Sequence, residues 1–438
     1  MVENYSSPFV RRAVFRLQSC RFIRAIGQGI LLVAFSLYLI ELGWSVAAAG
    51  VLFTASGLLT ALASWLVGMV SDRKGRRLFL MAYDGATAVV AFLLTWMAQP
   101  ILLAAACLLV GFGRTQSGRP GPAAPAEQAW LAGGVSREKR GMLFSVNAAL
   151  GFFGMAAGSL LTGLVPAIRT WLPGLAAYKP LFLLVGLGAV LNLALLVGTK
   201  EFRKKEQSDE SPSREHREEE KHFANLREQG ESIQADSAGR DPKIRENIIM
   251  AKLGLINALN GLAIGLTAPL LVYWFNLRFG VGPGSIGPVF AATYLLTSVS
   301  SVVTGKFTQR IGVVKAVVIV RLASVVMLVV LPLMPTFALA AIIHIIRSAT
   351  ARGSMGARQA LAVSLVRENR RGLASSIDSI SLILPHAVGP SIAGVFLAAG
   401  YLTLPFLMGA CTQLVYAILY GATFKRYDLS RHEVKSTG

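Results

Sequence analysis

Apolar stretches of about 20 residues recur from residue 22 to residue 424, each long enough to cross a ~30 Å hydrocarbon layer as a helix. The pattern predicts twelve spans, at 22–42, 46–70, 78–98, 101–127, 142–165, 179–199, 250–277, 285–308, 314–331, 336–364, 373–398 and 402–424. Between the sixth and seventh it breaks: residues 200–249 mix acids and bases with Ser and Gln and lack an aliphatic cluster, so they cannot build a core. The predicted organisation is an N-terminal arm (1–21), a six-helix bundle (22–199), a charged linker (200–249), a second six-helix bundle (250–424) and a tail (425–438). The linker reads as a plain connector, with a regulatory module as the alternative.

The two halves repeat each other. GMVSDRKGRR, carrying Gly68, Arg73 and Gly75, matches GKFTQRIGVV, carrying Gly305, Arg310 and Gly312, each after the second span of its half. AEQAWLAGGVSREKRG (126–141) matches ARQALAVSLVRENRRG (357–372) after the fourth. The fold class expected is all-α integral membrane, with twelve transmembrane helices in two pseudo-symmetric six-helix bundles and a substrate path at their interface.

Composition agrees, with 54% hydrophobic and 15% charged residues. A net charge of +20 raises the question of nucleic acid, but the 43 Lys and Arg residues sort by loop. Loops on one side hold only Arg169, Lys179 and Arg278, and six arginines (Arg114, Arg119, Arg321, Arg347, Arg352, Arg358) fall within predicted spans. The remainder crowd the other side, which predicts that both termini are cytoplasmic, in a multi-pass protein of the cell membrane. Short scattered loops offer no folded basic face, so nucleic acid is not an expected partner. The first span, preceded by arginines and lacking a small-residue cleavage site, is expected to serve as its own insertion signal. Cys20, Cys107 and Cys411 suggest neither a disulfide framework nor a thiolate metal site.

The loop between the second and third spans resembles the signature G-x-x-x-D-R-x-G-R-R of the major facilitator superfamily, in Gly68, Asp72, Arg73, Gly75, Arg76 and Arg77. With the twelve spans, the central loop and the repeat, the resemblance covers essentially the whole chain. It implies two six-helix bundles around a central cavity. It also implies that Asp72 latches onto the start of the eleventh span, near Arg371 and Gly372, and that Arg76 pairs with Glu127. In the second half the corresponding positions are Gln309, Val313 and Arg358, so that charge network is lost there. The bland alternative is that the loop only fixes topology.

GFGRTQSGRPGPAAP in the fourth span partly resembles a motif of proton-coupled exporters, with Arg114 at its arginine position, Ser117 where glutamine is usual, and Pro120, Pro122 and Pro125 following. Arg347 sits near the equivalent place in the tenth span, with Arg352 beyond it. An arginine inside a span must face protein or water, since lipid exposure costs at least ~2.5 kcal/mol. These guanidiniums therefore either bind substrate or couple protons, or they hydrogen-bond carbonyls freed by Gly and Pro. GFFGMAAGSLLTG in the fifth span keeps Gly151, Gly154, Gly158 and Gly163 at close-packing spacing, with Ser159 replacing the proline usual in drug antiporters of the superfamily. The Gly-Pro pair occurs instead as Gly389 and Pro390.

Outside the linker, only Glu41, Asp84, Glu127 and Asp378 lie in or at the ends of spans, and a proton carrier is sought among them. Asp378 is either such a carrier or the fixed partner of an arginine, and Asp84 is expected to serve the basic loop. Family geometry lines the cavity with the first, fourth, seventh and tenth spans, which nominates Gln28, Tyr38, Asn257, Asn260, Tyr273, His344 and Arg347 beside Arg114. His344 and His386 have no second ligand at metal-site spacing, no phosphate loop suggests ATP, and no cofactor or enzyme constellation is found. The leading expectation is a monomeric secondary transporter in membrane lipid that exports a small-molecule substrate, with proton coupling a candidate. Uptake or exchange of an anion is the alternative within transport, and a non-transporting receptor or assembly factor is the alternative outside it.

Overall fold

Helices account for every regular element among the described residues, which in this computed structural model are 8–114, 119–134, 140–199, 201, 242–311, 313–353 and 371–425. In order they are α1 (Pro8–Glu41), α2 (Val46–Lys74), α3 (Arg76–Trp96), α4 (Pro100–Ala105), α5 (Ala124–Gly133), α6 (Arg140–Thr162), α7 (Lys179–Val197), α8 (Pro242–Thr267), α9 (Leu271–Phe279), α10 (Pro283–Ile311), α11 (Val313–Val330), α12 (Phe337–Gly353), α13 (Arg371–Ala398) and α14 (Leu404–Phe424). The fourth span is α4 continued by α5, and the seventh is α8 continued by α9. That makes twelve spans in two six-helix bundles, as the hydrophobic pattern predicts. We call the end carrying the Gly75 turn the basic end, and the opposite end the far end.

Three boundaries differ from expectation. α1 begins at Pro8 rather than near residue 22, because arginines that punctuate the apolar pattern do not interrupt a helix that can place them between neighbours. α8 begins at Pro242, inside the expected linker. The fourth span is not one helix: α4 widens into a π-turn at Ala106–Val110, and Gly111 and Gly113 take φ of 83° and 79°. A side chain at Gly113 would also strike the Phe53 ring, so glycine is required there twice over. Helix resumes only past Pro120 and Pro122, whose rings cannot continue an α-helix. Most of the linker (202–241), the tenth span beyond Gly353, Ser117 and Arg358 lie outside the described residues, as do the side chains of Asp72, Gln309, Val313, Arg352, Arg371 and Gly372.

Lipid supplies no hydrophobic force between helices, so they associate where small residues let backbones meet. α1 and α6 do so closely: a Cβ at Gly29 would strike the Met155 carbonyl oxygen, and one at Gly158 that of Ile26. The same device joins α8 to α13, where Gly261 faces the Leu382 carbonyl and Gly265 that of His386. First on fifth and seventh on eleventh are equivalent pairs, so the repeat extends to the packing. Outward faces are apolar, with Leu58, Leu62, Trp65 and Met69 on α2 and Leu183, Leu187 and Val190 on α7 all exposed. Trp96, Trp171 and Tyr401, exposed at the far end, supply the aromatic edge of such a belt.

The halves meet along two further seams. α2 packs on α13, with Gly50 against the Pro390 carbonyl, Gly57 against Ala387, and Thr54 accepting hydrogen bonds from the Ser391 amide (3.0 Å) and hydroxyl (2.7 Å). α6 packs on α10, with Gly163 against Pro288, Gly287 against the Ser159 carbonyl, and the Phe152 and Tyr294 rings stacked. All of these residues belong to the far half of their helices.

Overpacking a core costs about 1–3 kcal/mol or more, so Gly158→Val should lower the thermal midpoint of the purified protein sharply. Gly85→Ala, at a helical position with nothing within 4 Å of the added carbon, should be neutral or raise it. Equal midpoints for the two variants would show that the α1–α6 seam does not depend on close backbone approach.

Candidate functional site

Arg21, Arg24 and Gln28 lie three and four residues apart on α1 and so share one face. α3 turns Tyr83, Asp84 and Thr87 toward that face, and α5 adds Glu127 from its first turn. Arg24 is the hub. Its Nε and Nη2 donate to the two carboxylate oxygens of Asp84 at 3.0 and 2.9 Å, and its Nη1 donates to Glu127 at 2.9 Å. Arg21 donates to the other Glu127 oxygen at 3.4 Å. Both carboxylates are 1% exposed, so this group of two cations and two anions is neutral as a unit and shielded from solvent. Neutrality is what permits it, since an unpaired ion there would cost several kcal/mol.

A cavity of about 20 Å³, room for roughly one water, adjoins the group between α1, α3, α7 and residues 110–114. Arg24, Gln28, Asp84, Arg114 and Asn192 line it, and the Asn192 side-chain oxygen has no protein partner. Tyr83 donates to the Val110 carbonyl of the π-turn at 3.1 Å, and Gln28 donates to the Arg119 carbonyl at 2.8 Å. The irregular fourth span is thus tied to α1 and α3 through the carbonyls that its break frees. Arg114 reaches the other way, to α2, donating to the Ser56 carbonyl (3.2 Å) and the Thr60 hydroxyl (3.0 Å). Among the described residues it meets no carboxylate, and it stands beside Gly57 where Ala387 of the second half packs.

In the second half Asn257 donates to the Asp378 carboxylate, both residues being buried. Asn260, one turn on, is 1% exposed with neither amide atom partnered. His344 and Arg347 stand apart from these on α12, where His344 lies edge-on to Phe275 and close to Phe290. Tyr273 is buried at the seam with its ring against Phe53. Tyr38 packs on Tyr178 and Phe182, and Glu41 forms a far-end bridge to Arg169 and Tyr178. No group of three metal-binding side chains occurs among the described residues.

The structure therefore gathers Gln28 and Arg114 at one cavity and Asn257 with Asp378 at a second place, rather than all candidates at one. Glu127 serves Arg24 and Arg21 and not Arg76, which donates to the Ala129 carbonyl at 2.9 Å. The gating-loop turn itself is formed, with Gly75 at φ 91° and the Glu201 carboxylate accepting from the Arg77 amide. A Cβ added at Gly68 would come no nearer than 3.9 Å to Pro125, and Arg73 is exposed. Asp84 pairs with Arg24 rather than the basic loop, and Asp378 has an amide partner rather than an arginine. Sequence reasoning missed Arg21 and Arg24. Two acids within apolar spans, each needing a cation, were the signal that could have found them.

Paired six-helix bundles with polar interiors define a polytopic membrane protein of the two-bundle class. The family model described as Major Facilitator Superfamily matches residues 18–239 and 253–437, and the chain belongs to that family. It is 20% identical over 427 residues to an uncharacterized membrane protein of Saccharomyces cerevisiae, covering 93% of each chain. Its fold is similar to that of the D-xylose-proton symporter (TM-score 0.70, 14% identity, 94% of this chain and 97% of that one). It is similar also to the nucleoside transporter NupG (TM-score 0.67, 13% identity, 94% and 99%). A bacterial homolog of the human lysosomal transporter Spinster, solved inward-facing and unoccupied, is a further neighbour (TM-score 0.67, 14% identity, 97% and 100%). These neighbours are transporters, and the likeness establishes the fold.

Removing Arg24 leaves two buried carboxylates short of a cation, so Arg24→Gln should cost about 3–5 kcal/mol. Adding Asp84→Asn should recover part of that loss. Strictly additive losses in equilibrium unfolding of the purified variants would contradict a coupled ion network.

Proposed function

We propose that this protein is a secondary transporter that carries a small solute by alternating access, its halves rocking about the α2–α13 and α6–α10 seams. The observation that carries this reading is the position of those seams: the contacts described between the halves lie in the far half of each helix. Those contacts close the far end in this conformation. The Lys and Arg distribution makes the basic end cytoplasmic, with both termini there and the protein in the cell membrane. Export is the direction favoured by the partial exporter motif around Arg114, with Glu127 and Asp378 as candidate proton carriers. Asp72 is the latch that meets the start of α13 when the basic end closes.

Uptake or exchange of an anion is the second reading, favoured by one observation. Arg114 lies beside the seam with hydroxyl and carbonyl partners and no carboxylate, which leaves its charge available to an anionic solute.

Thr54 and Ser391, in hydrogen-bond contact across the seam, suit a disulfide when both are replaced by cysteine. In a Cys411→Ser background, oxidation of that pair should stop solute flux in proteoliposomes and reduction should restore it. Flux that persists through the cross-link would reject rocking about this seam, and failure of any solute panel to shift stability or cross would favour the non-transporting reading. Asp378→Asn and Glu127→Gln should abolish substrate-dependent pH change if these acids carry the proton. Unchanged coupled transport across pH would remove both from the mechanism.

A further inference from the structure

α1 has 34 residues, about 51 Å at ~1.5 Å each, against a ~30 Å hydrocarbon layer. Its far end is placed by Glu41, which bridges to Arg169 in the loop before α7. Counting back ~20 residues from there sets the hydrocarbon edge near residue 22, so Arg16 falls about 9 Å and Arg12 about 15 Å beyond it along the axis. Helix tilt shortens both distances, and long arginine side chains reach back toward the headgroups.

At that level a notch of about 150 Å³ opens between α1 and the chain leaving α7, lined by Phe9, Arg12, Ala13, Arg16, Gly198 and Thr199. Arg16 donates one Nη to the Gly198 carbonyl, which fixes its guanidinium at the wall and leaves other donors free to face inward. Arg12, one turn away on the same face, is exposed and makes no ion pair or hydrogen bond among the described residues. The nearest described acid along the chain, Glu201, is engaged by the Arg77 amide at the start of α3. Phe9 and Phe15 are exposed on the same stretch of helix.

We propose that this notch binds the phosphate of an anionic phospholipid, clamped between Arg12 and Arg16 with the acyl chains running along the outside of α1. Three things converge on a lipid: two cations on one helical face, a cavity larger than a water molecule between them and the end of α7, and a position just outside the hydrocarbon layer from which long arginine side chains reach back to the headgroups. Arginine suits the task, because its planar fork donates two hydrogen bonds to one phosphate. Neither the transport reading nor its direction is needed for this site.

The test is native mass spectrometry of the purified full-length protein titrated with phosphatidylglycerol or phosphatidylcholine. Wild type should retain phosphatidylglycerol preferentially, and Arg12→Gln and Arg16→Gln should each weaken that retention about fivefold. Arg11→Gln removes the same charge from a neighbouring face and should change it less than about twofold. Arg12→Gln decides the matter if Arg16→Gln lowers the thermal midpoint, since Arg12 holds no hydrogen bond in the fold. Three results would overturn the proposal: no preference for the anionic lipid, an equal loss in Arg11→Gln, or displacement by inorganic phosphate at the same concentration. The third would assign the notch to free phosphate.

Discussion

Backbone contact at glycine is the interaction on which this structure rests. A helix in lipid gains nothing by hiding leucine from leucine, so cohesion has to come from surfaces that approach more closely than side chains allow. The same solution appears four times, at α1–α6 and α8–α13 within the halves and at α2–α13 and α6–α10 between them. Within a half the contacts run along the helices and make a rigid body. Between the halves, the contacts among the described residues join the far ends of α2 and α13 and of α6 and α10.

Charge divides the halves where packing unites them. The first half holds two arginines and two acids in a closed network that ties three spans together, with the broken fourth span hung from it through freed carbonyls. Among the described residues, the second half pairs the Asp378 carboxylate with Asn257, and leaves the side chain of Asn260 without a hydrogen-bond partner. An ion network is costly to open and well suited to holding a shape. That contrast makes the first half the more tightly tied frame.

Much of the architecture was legible in the order of residues. The twelve spans, the duplication and the glycines of the fifth span all follow from the demands of lipid, and Gly154 and Gly158 do meet α1 backbone as their spacing implies. The basic-loop signature placed the family correctly. Less legible was the electrostatic core. Arg21 and Arg24 stand at the edge of the first expected span (22–42), where arginines normally flank a membrane entry, and the acids of Arg24 lie 60 and 103 residues further along the chain. Nothing local marks a pairing of that range. The break in the fourth span was carried by Gly111, Gly113 and three prolines, but its overall apolarity hid it, because hydropathy measures what lipid accepts and not whether the backbone stays helical.

Rocking about a glycine seam demands that the two ends of the molecule move in opposition. Pulsed electron spin resonance measures this directly, with one pair of spin labels at Trp171 and Tyr401 on the far end and another at Lys74 and Lys425 on the basic end. The account predicts two populations for each pair, with a short far-end distance accompanying a long basic-end distance, and solute shifting both pairs in opposite senses. A single distance at each end under every solute condition, or two ends that widen together, would contradict it.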